Sequence, residues 1–230
     1  MLKMSEYLRK LYRVLKRRDF FYRTTVNVPA KRFGSAYGGW WVLPEYLDGR
    51  SVILSVGLGE DVSFDLALQE ATGCTIHGFD PTPKSLAYLK SISLPDAFSI
   101  HPYAVSEQDG ELCFNLPQKS EHVSGSLETI ASEKSITVEC KRLGTIMDDL
   151  GINTIDLLKM DIEGSEYKVI EDMIESDIRP GQLLIEYHHF FDSVSNARTK
   201  QSIALLLENG YELFRIEGYN YSFVRKNLLA

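Results

Sequence analysis

Residues 51–68 read SVILSVGLGEDVSFDLAL, an apolar run closed by two glycines and followed by the start of a helical pattern. A short run of Val, Ile and Leu bounded by turn residues marks a buried strand, here 51–57, and the apolar spacing beyond it predicts a helix over 60–72. Gly57 and Gly59 at the strand end let the backbone turn sharply and approach a ligand with no Cβ in the way. A bare G-x-G also fits a tight turn with no ligand, and Val62 stands where a dinucleotide fingerprint has its third glycine. The next strand, CTIHGF over 74–79, adds weight because it runs into Asp80, 21 residues after Gly59. An acid at that spacing sits beside the glycine turn and can accept hydrogen bonds from both hydroxyls of an adenosine ribose. Followed by Pro81 and Pro83, it could equally cap the next helix. Together the two signals point to an adenosine cofactor and leave nicotinamide dinucleotide and S-adenosylmethionine both open.

Outward from this unit, short apolar runs alternate with helical patterns, as crossover units of a parallel sheet do. Further strands are predicted at 97–101, 154–160 and 182–188, and helices near 83–92, 143–150, 164–176 and 195–209. Two more β-like runs, ELCFNL and SITVEC, flank the polar stretch 118–134, which reads as a surface loop. The last two runs, YELFRIE and NYSFVRK, are joined by a turn at Gly218 too short for a parallel return, so they form an antiparallel pair. The expected fold class is α/β: a Rossmann-like, mostly parallel seven-stranded sheet ending in an antiparallel hairpin, with helices on both faces and an N-terminal helical extension.

The chain has 230 residues, 44% hydrophobic and 25% charged, which suits one soluble domain with a small appendage. Its net charge of −7 is unevenly spread: residues 1–32 hold ten Lys or Arg against Glu6 and Asp19, net +8, and the rest carries −15. An acidic body argues against a general grip on nucleic acid, which relies on cation clusters. Residues 2–18 read as a basic amphipathic helix with a Leu8–Leu11–Leu15 stripe. That stripe is expected to pack on the domain or a second subunit, with a peripheral contact to an anionic membrane or partner as the alternative. Residues 34–41, rich in Gly and aromatics, read as a loop in which Tyr37 or Trp40 covers a donor pocket. The division expected is 1–41 for helix and cover and 42–230 for the catalytic domain. Cys74, Cys113 and Cys140, with no C-x-x-C pair, read as reduced, buried thiols. With no long apolar run, the expected location is cytoplasmic.

The fourth parallel strand runs IDLLKMDIEGSEYKVIEDMI. Here the chain resembles the FkbM-type methyltransferases, whose hallmark is a strand entering K-[IM]-D-[IV]-E-G-x-E, matched by Lys159, Asp161, Glu163, Gly164 and Glu166. The resemblance runs from about residue 51 to 188 and takes in HGFDPTPKS, YAVSEQDG and QLLIEYHH. It implies S-adenosylmethionine as cofactor and O-methylation of a small-molecule or glycan acceptor, with Pro81, Ala104, Val105 and Asp161 among the donor-site residues. The family commonly has an acid just before the first glycine, where this chain has Ser55. Glu60 or Asp61 is therefore expected to meet the donor's ammonium instead.

Transfer of a methyl group is an in-line displacement, so positioning is the main catalytic contribution, and a hydroxyl acceptor also benefits from a base. Asp161, Glu186 and His188 are the candidates, because ligands of open α/β sheets bind beyond the carboxyl ends of the strands. Residues 186 and 188 share a face, while His189 points away and reads as structural. The three could alternatively hold a divalent cation, but nothing in their spacing demands a metal and none is expected. Two rival readings are a nicotinamide-dependent oxidoreductase and a catalytically silent donor-binding partner protein.

Overall fold

The computed structural model describes residues 4–16, 18–115, 135–191 and 194–230, so the stretch 118–134 lies outside the described residues. The first half contains α1 (Met4–Leu15), β1 (Lys31–Phe33), β2 (Trp40–Val42), β3 (Val52–Val56), α2 (Ser63–Thr72), β4 (Thr75–Phe79), α3 (Pro83–Ser91), β5 (Phe98–His101), β6 (Ala104–Val105) and β7 (Gly110–Asn115). The second contains β8 (Ser135–Lys141), α4 (Leu143–Leu150), β9 (Leu157–Met160), α5 (Glu166–Glu175), β10 (Gln182–Glu186), α6 (Asn196–Glu208), β11 (Tyr211–Glu217) and β12 (Asn220–Arg225).

Seven strands form the central sheet in the order β11-β12-β10-β9-β3-β4-β5. The pairs β10–β9, β9–β3, β3–β4 and β4–β5 are parallel, while β12 runs antiparallel to β10 and β11. The expected α/β architecture with its terminal hairpin is what forms. Strand order reverses at β3 and β9, so the ends of these two strands open the crevice in which such sheets bind ligands.

Side chains on each central strand alternate between two cores, as the period of two requires. Leu54, Val56, Leu158, Met160, Leu183 and Ile185 pack with α4, α5 and α6 on one face. Ile53, Leu157 and Leu184 pack on the other with Phe64 and Leu68 of α2, Leu89 of α3, and Phe33, Trp40 and Val42. The stretch 34–41, read from sequence as a loop, thus joins and enters the antiparallel pair β1–β2, whose Phe33 and Trp40 are core. The runs ELCFNL and SITVEC pair as β7 and β8 in a separate small sheet with β6. Cys74 and Cys140 are buried as expected, but Cys113 is exposed, because β7 is an edge strand of that sheet.

The N-terminal helix forms with the opposite face inward from the one its leucines suggest. Leu8 is 56% and Leu15 75% exposed, while Lys10 is buried. The cause is Asp19, whose side chain is fully buried, with Lys10 Nζ at 3.9 Å and Arg13 Nε at 3.1 Å. Asp19 also accepts the Phe20 N–H and faces His189 Nε2 at 3.4 Å. A buried carboxylate is costly unless paired, so Lys10 and Arg13 turn in and Leu8 and Leu15 turn out. No helix among the described residues is long and apolar enough to cross a membrane.

Candidate active site

Beyond β3, Gly57 and Gly59 both take left-handed conformations, with φ of 77° and 57°. At Gly57 a Cβ would stand 1.9 Å from the Asp161 carbonyl oxygen, so the end of β9 leaves no room for any side chain there. Lys159, from the same motif, donates its ammonium protons to the Val56 and Gly57 carbonyls and braces the turn. Asp80 completes it: one carboxylate oxygen accepts the Gly59 N–H at 3.0 Å, and the other accepts Thr82 N–H and Oγ–H at 2.8 and 2.6 Å. Asp80 therefore has the local turn role and also lines the cavity.

That cavity has a volume of about 450 Å³, inside the range of cofactor sites. Gly57, Gly59, Glu60 and Asp61 form one wall, Asp80, Pro81, Ala104 and Val105 another, and Asp161 stands at the end of β9. Tyr37 and Trp40 close it from the hairpin side. The cover is pinned by Asp61, which accepts the Ser35 hydroxyl at 2.6 Å and the Ser63 N–H at 2.9 Å. Glu60 is paired with Lys84 at 2.8 Å. Both acids expected to meet the donor's ammonium thus have protein partners. Asp65, which sequence reasoning missed, lines the same cavity, is 2% exposed and leaves Oδ1 without a hydrogen-bond partner. Burial raises its carboxyl above the ordinary value, with Lys159 opposing.

Past β9 the motif loop bends sharply, with left-handed Glu163 (φ 53°) and Gly164 (φ 103°). Glu166 closes it. Fully buried, it accepts the Gly164 N–H on one oxygen and, on the other, the backbone N–H of His188 at 2.9 Å and its Nδ1 at 3.3 Å. The imidazole is 2% exposed, and its Nε2 faces Glu163 at 3.3 Å and Asp161 at 3.6 Å. Ligand atoms of Asp161, Glu186 and His188 lie within 4.8 Å of one another. The three candidates for acceptor chemistry are thus brought together. Burial and then the Asp161 carboxylate push Glu186 up to about 7. Burial alone would lower His188, but Glu166 first, then Glu163 and Asp161, carry it up to about 10. His189, buried against Asp19, is structural as expected.

The family model of the methyltransferase FkbM domain matches residues 52–213. The chain belongs to the FkbM methyltransferase family. Its similar relatives include proteins named "Probable methyltransferase-like protein 24" of Homo sapiens and Rattus norvegicus, each 30% identical over 139 residues, 59% of this chain and 32% of theirs. The chain therefore matches about a third of the length of those two relatives. The 2-O-methyltransferase NoeI of Sinorhizobium fredii is 25% identical over 152 residues, 59% of this chain and 63% of that protein. Among solved structures, human methyltransferase-like protein 13 in complex with SAH is 17% identical, with a TM-score of 0.44 over 80% of this chain and 75% of that one. A Methanococcus jannaschii fibrillarin pre-rRNA processing protein is 10% identical, with a TM-score of 0.47 over 80% and 70%.

The cofactor of this FkbM domain is S-adenosylmethionine, and the cavity suits it. Its walls join a carboxylate beside a glycine turn, for the ribose, to apolar surface from Phe79, Leu58 and Trp40. The unpartnered oxygen of Asp65 suits the cationic end of a donor that carries both a sulfonium and an ammonium.

Proposed function

We propose that this chain methylates a hydroxyl oxygen of a small-molecule or sugar-like acceptor. The observation that carries the reading is the double position of Asp161, which lines the donor cavity and also belongs to the cluster with Glu186 and His188. An acceptor oxygen held by that cluster stands next to the donor, and holding two reactants in attack geometry is worth up to about 7–11 kcal/mol. When bound, S-adenosylmethionine supplies a methyl group on a sulfonium sulfur; the C–S bond breaks as the O–C bond forms, the hydroxyl proton passes to a carboxylate of the Asp161–Glu186 pair and from there to water, and S-adenosylhomocysteine remains. On the protein's side, Asp80 and the glycine turn bind, Tyr37 and Trp40 shield the reacting centre from water, and Asp161 and Glu186 orient the hydroxyl. The name of NoeI, a 2-O-methyltransferase, agrees with a hydroxyl acceptor, and the net charge of −15 outside residues 1–32 disfavours a nucleic-acid one.

The test is a deuterated-methyl donor incubated with the protein and a panel of sugars and other polyols, read by mass spectrometry. Label on oxygen is expected. Tight binding of S-adenosylhomocysteine with no label on any hydroxyl would favour the silent donor-binding role, and label on nitrogen or carbon would refute O-methylation.

The same reading includes a peripheral contact through α1. It is supported by the exposure of Leu8, Tyr12, Leu15 and Phe21 beside the exposed cations Arg9, Lys16, Arg18 and Arg23. Apolar side chains flanked by cations are the composition that binds an anionic lipid surface.

A further inference from the structure

We propose that Asp161, Glu186 and His188 form a binding site for a hard divalent cation, Mg²⁺ or Mn²⁺, at the acceptor end of the donor cavity. Its open coordination positions would take oxygens of the acceptor. The inference rests on the methyl-transfer reading for its purpose, but its geometry stands independently.

The first observation is the juxtaposition itself. Two carboxylates and one imidazole present ligand atoms within 4.8 Å of one another, and an ion with bonds of about 2.0–2.2 Å reaches all three from a central position after small side-chain adjustments. One imidazole with two carboxylates, leaving positions open on one side, is a recurrent donor set for divalent metals. The sequence offered these three as an alternative cation set without demanding one; the parallel pairing of β9 with β10 is what brings Asp161 beside the other two.

The second observation is independent and concerns how the imidazole is held. His188 is 2% exposed, and its Nδ1 is engaged at 3.3 Å by Glu166, itself fully buried. Glu166 in turn is fixed by two backbone N–H groups, those of Gly164 and His188, at 2.8 and 2.9 Å. A ring whose Nδ1 is committed to an oriented carboxylate presents Nε2 alone, and this carboxylate–histidine arrangement is how proteins aim a metal-bound imidazole. Here Nε2 is aimed at Asp161 and Glu163, at 3.6 and 3.3 Å.

Charge supports the same conclusion. Asp161, Glu163, Glu166 and Glu186 converge on a single imidazole. The ammonium of nearby Lys159 is turned to the Val56 and Gly57 carbonyls. Carboxylates gathered at this density repel one another unless a cation offsets them. Asp161 and Glu163 line the cavity, so an ion there is open to an acceptor entering it.

The experiment is a Mn²⁺ titration of the purified full chain followed by the electron paramagnetic resonance signal of free Mn²⁺, with Mg²⁺ as competitor. S-adenosylhomocysteine binding is measured in parallel by calorimetry without metal. One Mn²⁺ per chain, displaced by Mg²⁺, is expected. Asp161→Asn and Glu186→Gln, at half-exposed positions that tolerate an isosteric change, should each weaken it at least about tenfold, and Glu166→Gln should do so by about 10–100-fold through the orientation of His188. Glu111→Gln, at an exposed acid remote from the cavity, should change nothing. No Mn²⁺ uptake by the wild type, or uptake unaltered in folded Asp161→Asn and Glu186→Gln proteins, overturns the site. If S-adenosylhomocysteine binds while Mn²⁺ does not, the cation site fails and the donor reading stands; the reverse result separates them the other way.

Discussion

Replacing Asp80 by Asn separates the two tasks of this carboxylate. In the folded protein its oxygens accept three hydrogen bonds, one from Gly59 and two from Thr82. Asparagine has a single acceptor oxygen. Turned toward Thr82, it keeps two bonds and sets its NH₂ against the Gly59 N–H, leaving that donor unsatisfied at a cost of about 1–3 kcal/mol. For a chain of this size each kcal/mol lowers the melting temperature by about 2–4 °C, so a fall of roughly 2–12 °C is expected. The donor loses its charged partner as well. A hydrogen bond to an ionised group is worth about 1.5–3 kcal/mol, which is roughly a 10- to 150-fold rise in the dissociation constant. Calorimetric titration with S-adenosylhomocysteine, well below the lowered melting temperature, measures it. Thr82→Val, which keeps the Asp80 charge and loses only a hydroxyl bond, is the control and should leave affinity within about threefold. A folded Asp80→Asn protein with wild-type affinity would refute the ribose role. The side chain would then be a brace for the turn and nothing more.

Three further outcomes follow from the same geometry. Tyr37, 92% exposed, and Trp40, 4% exposed, both line the cavity; Tyr37→Ala should weaken S-adenosylhomocysteine with a stability change within about 0.5 kcal/mol, whereas Trp40→Ala should also cost about 3–5 kcal/mol in chemical denaturation. Unchanged binding in Tyr37→Ala would exclude it as a cover. Asp65→Asn should weaken S-adenosylhomocysteine by about tenfold or more while leaving adenosine binding unchanged, since only the former carries an ammonium for the unpartnered oxygen; equal losses for the two ligands would mean that the mutation disturbs the whole cavity. Vesicles containing anionic lipid should co-sediment the protein at low salt, more weakly at high salt, and not at all with Leu8→Ser and Leu15→Ser combined, whereas binding indifferent to lipid charge or to these leucines would remove α1 from the contact.

The parallel sheet was legible because its central strands β3, β9 and β10 are buried on both faces and so appear as short apolar runs, with turn residues marking the ends. The hairpin β11–β12 was legible for a different reason, the brevity of the connection at Gly218. The inversion of α1 was not, since an amphipathic pattern reports two faces and says which is apolar, but not whether a buried charge elsewhere needs the polar one. Asp19 makes that choice by drawing in Lys10 and Arg13. The pair β1–β2 was hidden by glycines at 34, 38 and 39, which read as loop although the strands on either side carry Phe33, Trp40 and Val42 into the core.

At the site, what was legible followed from a single topological rule: residues at the carboxyl ends of β3, β4, β9 and β10 converge. Gly57, Asp80, Asp161 and Glu186 could therefore be named from sequence. Asp65 could not, because an acid in the first turn of an amphipathic helix normally faces water and complements the helix dipole. It is buried because α2 packs over the strand that carries Ser55, where the family commonly has an acid; the Ser55 hydroxyl faces the Asp65 carboxyl and both are buried. A carboxyl thus faces the same cavity from the helix, an element other than the one that holds the acid in the family pattern. Glu60 and Asp61 looked the nearer substitutes in sequence, but Asp61 is engaged by Ser35 and Ser63, and Glu60 is tied to Lys84. The hydrogen bonds and ion pairs that Glu60 and Asp61 already make are what distinguish them from Asp65.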